Sequence, residues 1–154
     1  MHPSSQAVND ILAAAGLPGR VRILDRPAPT AAAAAEQIGC TLGAIANSLV
    51  FVSSEGDPVL IMTSGAHRVD LDRVRSGYGL DLRRASAEFV RAHTGQPIGG
   101  VAPVGHPAPI RTLVDRDLAA FDPLWAAGGV PHAVFPLSYA DLLRLTNGTE
   151  ADVA

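Results

Sequence analysis

The chain has 154 residues, 47% of them apolar and 18% charged, with a formal net charge of −3. That length supports one domain, 1–154, rather than two cores; the apolar content is too high for a disordered chain; and the charge excludes a broadly basic nucleic-acid coat, so no DNA partner is expected. All 12 basic residues are arginine, which excludes Schiff-base chemistry, P-loops and Ser–Lys dyads together, because each needs an amine on a long stem.

A single cysteine, Cys40, forms no intrachain disulfide and fits a reducing cytoplasm. The first residues lack a basic region, and Asn9 and Asp10 interrupt their only apolar stretch, so no signal peptide is expected. The longest apolar runs fall far short of the ~20 residues of a membrane span.

Along the chain, Ser4 or Ser5 is expected to cap a first helix whose apolar positions are Val8, Ile11, Leu12 and Ala15, ended by Gly16-Leu17-Pro18. A short strand follows over Val21 to Leu24. Thr30 caps a second helix from Ala31 to Ile38, closed by Gly39. Ser48 to Val52 and Val59 to Met62 read as a hairpin around a turn-rich loop. A short helix from about Asp70 to Arg75, a brief strand near Leu82 and a helix capped by Ser86 come next. A strand over Ile110 to Val114 ends at Asp115. Helical turns are expected over Asp117 to Ala120 and Pro123 to Ala127, and a strand over Val130 to Phe135. Ser138 starts the last helix in capping-box style and Asn147-Gly148 stops it; the last six residues are expected to fray. Helices and strands mix without strict βαβ alternation, so the fold class is α+β with a mixed or antiparallel sheet.

The five histidines have no metal-ligand spacing and Cys40 stands alone, so no metal is expected. No nucleophile elbow is present. Cys40 follows a helix C-cap, where the dipole disfavours a thiolate. Asp115, at a strand end, reads either as a functional carboxylate or as a turn cap. The segment 94–107 holds four glycines and three prolines. Glycine lets a ligand approach the main chain and proline fixes its neighbours. The segment is therefore either a cradle of peptide groups for a small polar ligand or a tight connection.

Thr94-Gly95-x-x-Ile98-Gly99-Gly100-Val101-x-Pro103-x-Gly105-His106 resembles the signature loop of the YbaK/EbsC (ProX-like) aminoacyl-tRNA deacylases, which are related to the editing domain of bacterial prolyl-tRNA synthetase. Asn47 to Phe51, Gly56 to Met62 with Ser64-Gly65, Asp70-Leu71, Asp115 with Leu118, and Leu142 to Gly148 agree in order and spacing, so the likeness covers roughly residues 5–150. It implies a mixed β-sheet curled into a partial barrel and flanked by helices. It implies hydrolysis of the ester that joins a wrong amino acid to the terminal adenosine of tRNA, with no covalent nucleophile and no cofactor. A main-chain carbonyl within Gly99 to Pro103 would hold the substrate α-amino group, and a ribose hydroxyl and a water would do much of the chemistry.

The candidate catalytic set is Asn47, Gly99, Gly100 and Asp115. Ser64, Gly65, Val101, Pro103, Gly105, His106 and Phe135 are candidates for substrate binding. Asn47 stands where many members carry lysine, and Phe135-Pro136-Leu137 where some read His-Pro-Leu. Six arginines lie between Arg68 and Arg91, and Arg68, Arg83 and Arg84 are candidates for the acceptor end of a mischarged tRNA. An aminoacyl-tRNA synthetase is a further candidate partner. Three functions compete: a trans-editing deacylase, a catalytically silent tRNA- or synthetase-binding module of the same fold, and a small-ester or amide hydrolase.

Overall fold

The computed structural model describes residues 1–154. Five helices flank one eight-stranded mixed sheet that does not close. The helices are α1 (Pro3–Ala14), α2 (Ala31–Ile38), α3 (Leu71–Tyr78), α4 (Ala87–Thr94) and α5 (Tyr139–Thr146). The strands are β1 (Arg22–Ile23), β2 (Ile45–Ser53), β3 (Pro58–Ser64), β4 (Leu82–Arg84), β5 (Arg111–Asp115), β6 (Leu124–Ala127), β7 (Ala133–Leu137) and β8 (Thr149–Ala151). Their order is β1-β7-β6-β2-β3-β5-β8, with β4 pairing part of β2. β2–β3 is the expected hairpin, whereas β3–β5, β5–β8 and β2–β6 are parallel. The α+β class with a mixed sheet is therefore as the sequence predicts.

Local chemistry explains most helix ends. Thr30, Ser86 and Ser138 each accept a hydrogen bond from the backbone N–H three residues on, and Gly39, Gly79 and Gly95 close their helices in the left-handed conformation. α1 differs: its cap is His2, whose Nδ1 accepts from the Ser4 N–H, not Ser4 or Ser5.

Two sheet faces bury separate cores. Val8 and Leu12 of α1 and Leu142 of α5 pack with Leu60, Met62, Ala126 and Phe135 on one face. On the other, Val74 of α3 packs with Phe51 and Ile61, and Ala34 and Ala35 of α2 pack with Ile45.

Three expectations need correction. Leu124–Ala127 is strand, not a helical turn: its alanines favour helix, but β6 is held between β2 and β7, and pairing overrides propensity. The next strand begins at Ala133, because 130–132 form the turn that precedes it. The chain end does not fray; β8 pairs β5, Ala151 and Val153 are fully buried, and the Asp70 N–H donates to the Val153 carbonyl at 2.7 Å.

Candidate functional site

Where the sheet loses continuity a cavity opens. β6 covers β2 at Ile45 and Ala46, and β4 covers it from Phe51 to Ser53. Between them lies a cavity of about 500 Å³, large enough for a small organic ligand. Its walls are β2 from Ala46 to Phe51, the start of α2 (Pro29, Thr30, Ala31), Trp125 and Ala127 of β6, and Ile98, Gly99 and Val101 of the Gly/Pro loop. Nineteen of its 27 lining residues are hydrophobic, so a few polar groups must set ligand orientation.

Those polar groups are sparse, and the charged ones are of one sign. The lining holds no Asp, Glu, His, Lys or Cys; its only charges are Arg68 and Arg84. Both are exposed and neither makes a salt bridge. In a chain of net charge −3, two uncompensated guanidinium groups at one opening favour an anion. Asn47 lies within β2 opposite Thr63, on the sheet face that Ile45 and Leu49 share, and its half-buried amide lines the cavity.

The loop supplies main-chain groups. Gly99 adopts φ +86°, a region that side chains disfavour. The N–H and C=O groups of Gly99 and Val101 take part in no hydrogen bond within the chain, although Val101 is 3% exposed. Unpaired peptide groups at a buried position are costly unless a ligand or water meets them.

A buried Gln96 holds the loop in shape. Its Oε1 accepts from the Ala102 N–H at 2.7 Å and its Nε2 donates to the Val104 carbonyl at 3.2 Å. The Thr94 hydroxyl accepts from the Gln96 N–H at 3.0 Å and donates to the Val90 carbonyl at 2.7 Å, so α4 anchors the segment. Sequence reasoning missed Gln96; a lone amide in a Gly/Pro run was the available signal. It also missed the contribution of α2 and of Trp125, which arrive through tertiary packing.

The other predicted residues lie elsewhere. Gly100 backs onto the turn before β7, where an added Cβ would come 2.5 Å from the Val130 carbonyl carbon; its lack of a side chain serves close packing. Gly105 abuts Gln96 and α1, and an added Cβ would lie 3.1 Å from Gln96 Nε2. His106 Nε2 lies 2.8 Å from the Ala102 carbonyl, and burial pushes its pKa down, against the raising effect of that bond. Pro103 belongs to the same turn but is not on the cavity wall. Phe135 is fully buried in the main core. Arg83 does not line the cavity, though its neighbour Arg84 does.

Asp115 sits at the end of β5, 2% exposed and off the cavity wall. Its Oδ2 accepts from the Ser64 N–H at 2.9 Å and the Thr63 hydroxyl at 3.3 Å, and faces His67 Nδ1 at 2.8 Å. Its Oδ1 caps the following 3-10 turn through the Asp117 N–H at 3.0 Å. The Ser64 hydroxyl donates to the Gly43 carbonyl at 2.9 Å, and Gly65 packs against the Leu42 carbonyl. The three groups tie the end of β3 to its neighbours. His67 Nε2 lies 3.3 Å from Asp117 Oδ2, so each ring nitrogen faces one carboxylate, and one ligand atom from each of His67, Asp115 and Asp117 lies within 4.8 Å of the others. Cys40 is off the cavity wall, and burial raises its thiol pKa.

No helix is long and apolar enough to cross a membrane. Residues 25–145 match the aminoacyl-tRNA editing domain. The uncharacterized protein YwhH of Bacillus subtilis is 36% identical over 110 residues, 71% of this chain and 69% of that protein. A candidate Cys-tRNA(Pro)/Cys-tRNA(Cys) deacylase of Enterococcus faecalis, EbsC, is 25% identical over 125 residues, 80% of this chain and 76% of that one. The crystal structure of a candidate trans-editing enzyme for prolyl tRNA synthetase superposes with a TM-score of 0.92 at 40% identity, covering 99% of this chain and 98% of the other. With its fold and most of its length matched, the chain belongs to the aminoacyl-tRNA editing domain family, in the YbaK/EbsC group.

Proposed function

We propose that the protein is a trans-editing deacylase that hydrolyses the ester bond of mischarged aminoacyl-tRNA. The observation that carries this reading is the pairing, on one cavity, of free peptide groups at Gly99 and Val101 with uncompensated arginines at its opening. The loop carbonyls accept from the substrate α-ammonium. Peptide N–H groups and the Asn47 amide donate to the ester carbonyl as it gains charge. Arg68 and Arg84 meet phosphates of the acceptor end. The attacking group is water, positioned rather than activated by a side chain. The cavity offers no base to generate a nucleophile: the Ser48 hydroxyl points to the Met62 sulfur at 3.3 Å and the Thr30 hydroxyl caps α2. An aminoacyl ester is already reactive, so positioning suffices.

That same lack of an acid or base favours one alternative, a catalytically silent module of this fold that holds tRNA or docks on a synthetase. A deacylation panel over mischarged tRNAs, including Ala-, Cys- and Ser-tRNA, with free aminoacyl esters alongside, separates the two. The enzyme reading expects turnover of at least one tRNA ester; tight binding of tRNA with no ester lost supports the silent module.

A further inference from the structure

The central strand of the sheet lacks a neighbour over four residues. β6 pairs with β2 at Ile45 and Ala46 only, and β4 pairs with it from Phe51 to Ser53 only. Asn47 to Val50 therefore have β3 on one side and no strand on the other. In an antiparallel strand the backbone groups of alternate residues point to opposite edges. The Gly65 N–H donates to the Ile45 carbonyl at 2.8 Å and the Ser53 N–H to the Asp57 carbonyl at 2.9 Å, so the odd-numbered residues face β3. The even-numbered ones face away: Ala46 meets β6, Val52 meets β4, and Ser48 and Val50, between those two contacts, turn their main-chain groups to the side away from β3, with Ser48 next to the end of the β6 pairing and Val50 next to the start of the β4 pairing. Burial follows the same division. Ile45, Ala46, Phe51 and Val52 are buried, while all four residues between them are half-buried. The gap forms one wall of the cavity.

A bare edge in mid-sheet is unusual, because sheets cover or pair such edges. In the closely spaced pairing of antiparallel strands, one residue exchanges both its N–H and its C=O with a single residue opposite. An α-aminoacyl group carries the same N–Cα–C=O unit. We propose that the main chain of Ser48 is the binding site for the α-aminoacyl group: its N–H donates to the acyl carbonyl and its C=O accepts from the α-ammonium, so the ligand completes the sheet as a one-residue strand. The inference deepens the deacylase reading and rests on it for the nature of the ligand. It adds to the loop carbonyls of that reading a second main-chain acceptor for the α-ammonium and a main-chain donor for the acyl carbonyl, on the β2 wall of the cavity. A deaminated acyl group satisfies only the N–H.

The test uses the wild-type chain, isotope-labelled for amide resonances, and two probes: the L-alanyl amide of 3′-amino-3′-deoxyadenosine, in which an amide replaces the labile ester, and its propionyl counterpart without the α-amino group. The alanyl probe is expected to shift the Ser48 amide resonance and slow its hydrogen exchange about tenfold or more, while the Leu49 amide, already paired with β3, stays unchanged. The propionyl probe should bind roughly tenfold more weakly, for loss of one charge-assisted hydrogen bond. Equal affinity for the two probes, an alanyl probe that perturbs the cavity but not the Ser48 amide, or no binding of either probe overturns the proposal. Deacylation of mischarged tRNA with an unresponsive Ser48 amide overturns this inference alone. A responsive Ser48 amide in a chain that deacylates nothing overturns the enzyme reading and leaves the acyl site standing.

Discussion

Replacing Gln96 by leucine tests whether the loop geometry is held by one side chain. Gln96 is 3% exposed, Ala102 fully buried and Val104 9% exposed. Gln96→Leu keeps the volume but strands the Ala102 N–H and the Val104 carbonyl in surroundings that water does not reach. Each stranded group costs ~1–3 kcal/mol, less whatever apolar burial the leucine gains. The net loss is about 2–4 kcal/mol, a large share of the ~5–15 kcal/mol that holds a domain together. For a chain of this size that lowers Tm by roughly 5–15 °C. The released segment carries Gly99 and Val101, so deacylation should fall even at temperatures where the variant is fully folded. Urea unfolding gives the stability change, and single-turnover deacylation at a permissive temperature gives the second. A stability loss below about 0.5 kcal/mol together with an unchanged rate would refute the claim that Gln96 sets the loop.

Other expectations follow from the same geometry. Asn47→Ala should slow deacylation about tenfold without altering Tm, since one neutral hydrogen bond in a preorganised site is worth ~1–3 kcal/mol; Asn47→Lys should keep or raise the rate on at least one mischarged tRNA, and a rate untouched by Asn47→Ala removes the amide from the reaction. Arg84→Ala should reduce the slope of log K against log salt for tRNA binding by roughly one, whereas Arg83→Ala, off the cavity wall, should change it less; equal slopes in wild type and Arg84→Ala would move the tRNA elsewhere. Burial holds the His106 pKa below its unfolded value of about 6.5, so the neutral ring stabilises the fold above that pH and the contribution is lost as pH falls through the lower folded value. Thermal melts from pH 7.5 to 5.5 should therefore drop more steeply for wild type than for His106→Gln, and parallel curves would contradict this. Gly100→Ala should destabilise the protein, because its Cβ would meet the Val130 and Pro131 backbone at 2.5–2.7 Å, so a fully stable variant would show that the turn yields.

What the sequence revealed tracks how local each signal is. Thr30, Ser86 and Ser138 announce helix starts and Gly39 and Gly95 announce ends, because capping is settled within four residues, whereas α3 runs on to Tyr78 and closes at Gly79, past the Arg75 expected. The β2–β3 hairpin reads from alternation and a turn-rich loop. β6 and β8 do not: the alanines of Leu124–Ala127 favour helix until β7 on one side and β2, about 80 residues back, on the other hold them extended, and Thr149–Ala151 becomes strand through β5, about 35 residues back. The same division runs through the site. The Gly/Pro loop stands out by composition, as does its suitability for presenting peptide groups. The cavity does not, because it arises where β6 and β4 leave β2, a property of sheet order rather than of any motif. Asp115 and Phe135 are placed by packing: one carboxylate pinned by Ser64, Thr63 and His67, the other side chain sealed in the main core.

The most direct measurement is single-turnover deacylation of mischarged tRNA at enzyme excess, by wild type and by Ala127→Trp. Ala127 is half-buried on the cavity wall and alternates with Ala126, which points into the main core, so the indole fills the cavity from the end of β6. Wild type should hydrolyse at least one mischarged tRNA well above the buffer rate, and Ala127→Trp should lose that activity while melting within a few degrees of wild type. Buffer-level rates from wild type on every mischarged tRNA, or equal rates from the two proteins, would contradict the account.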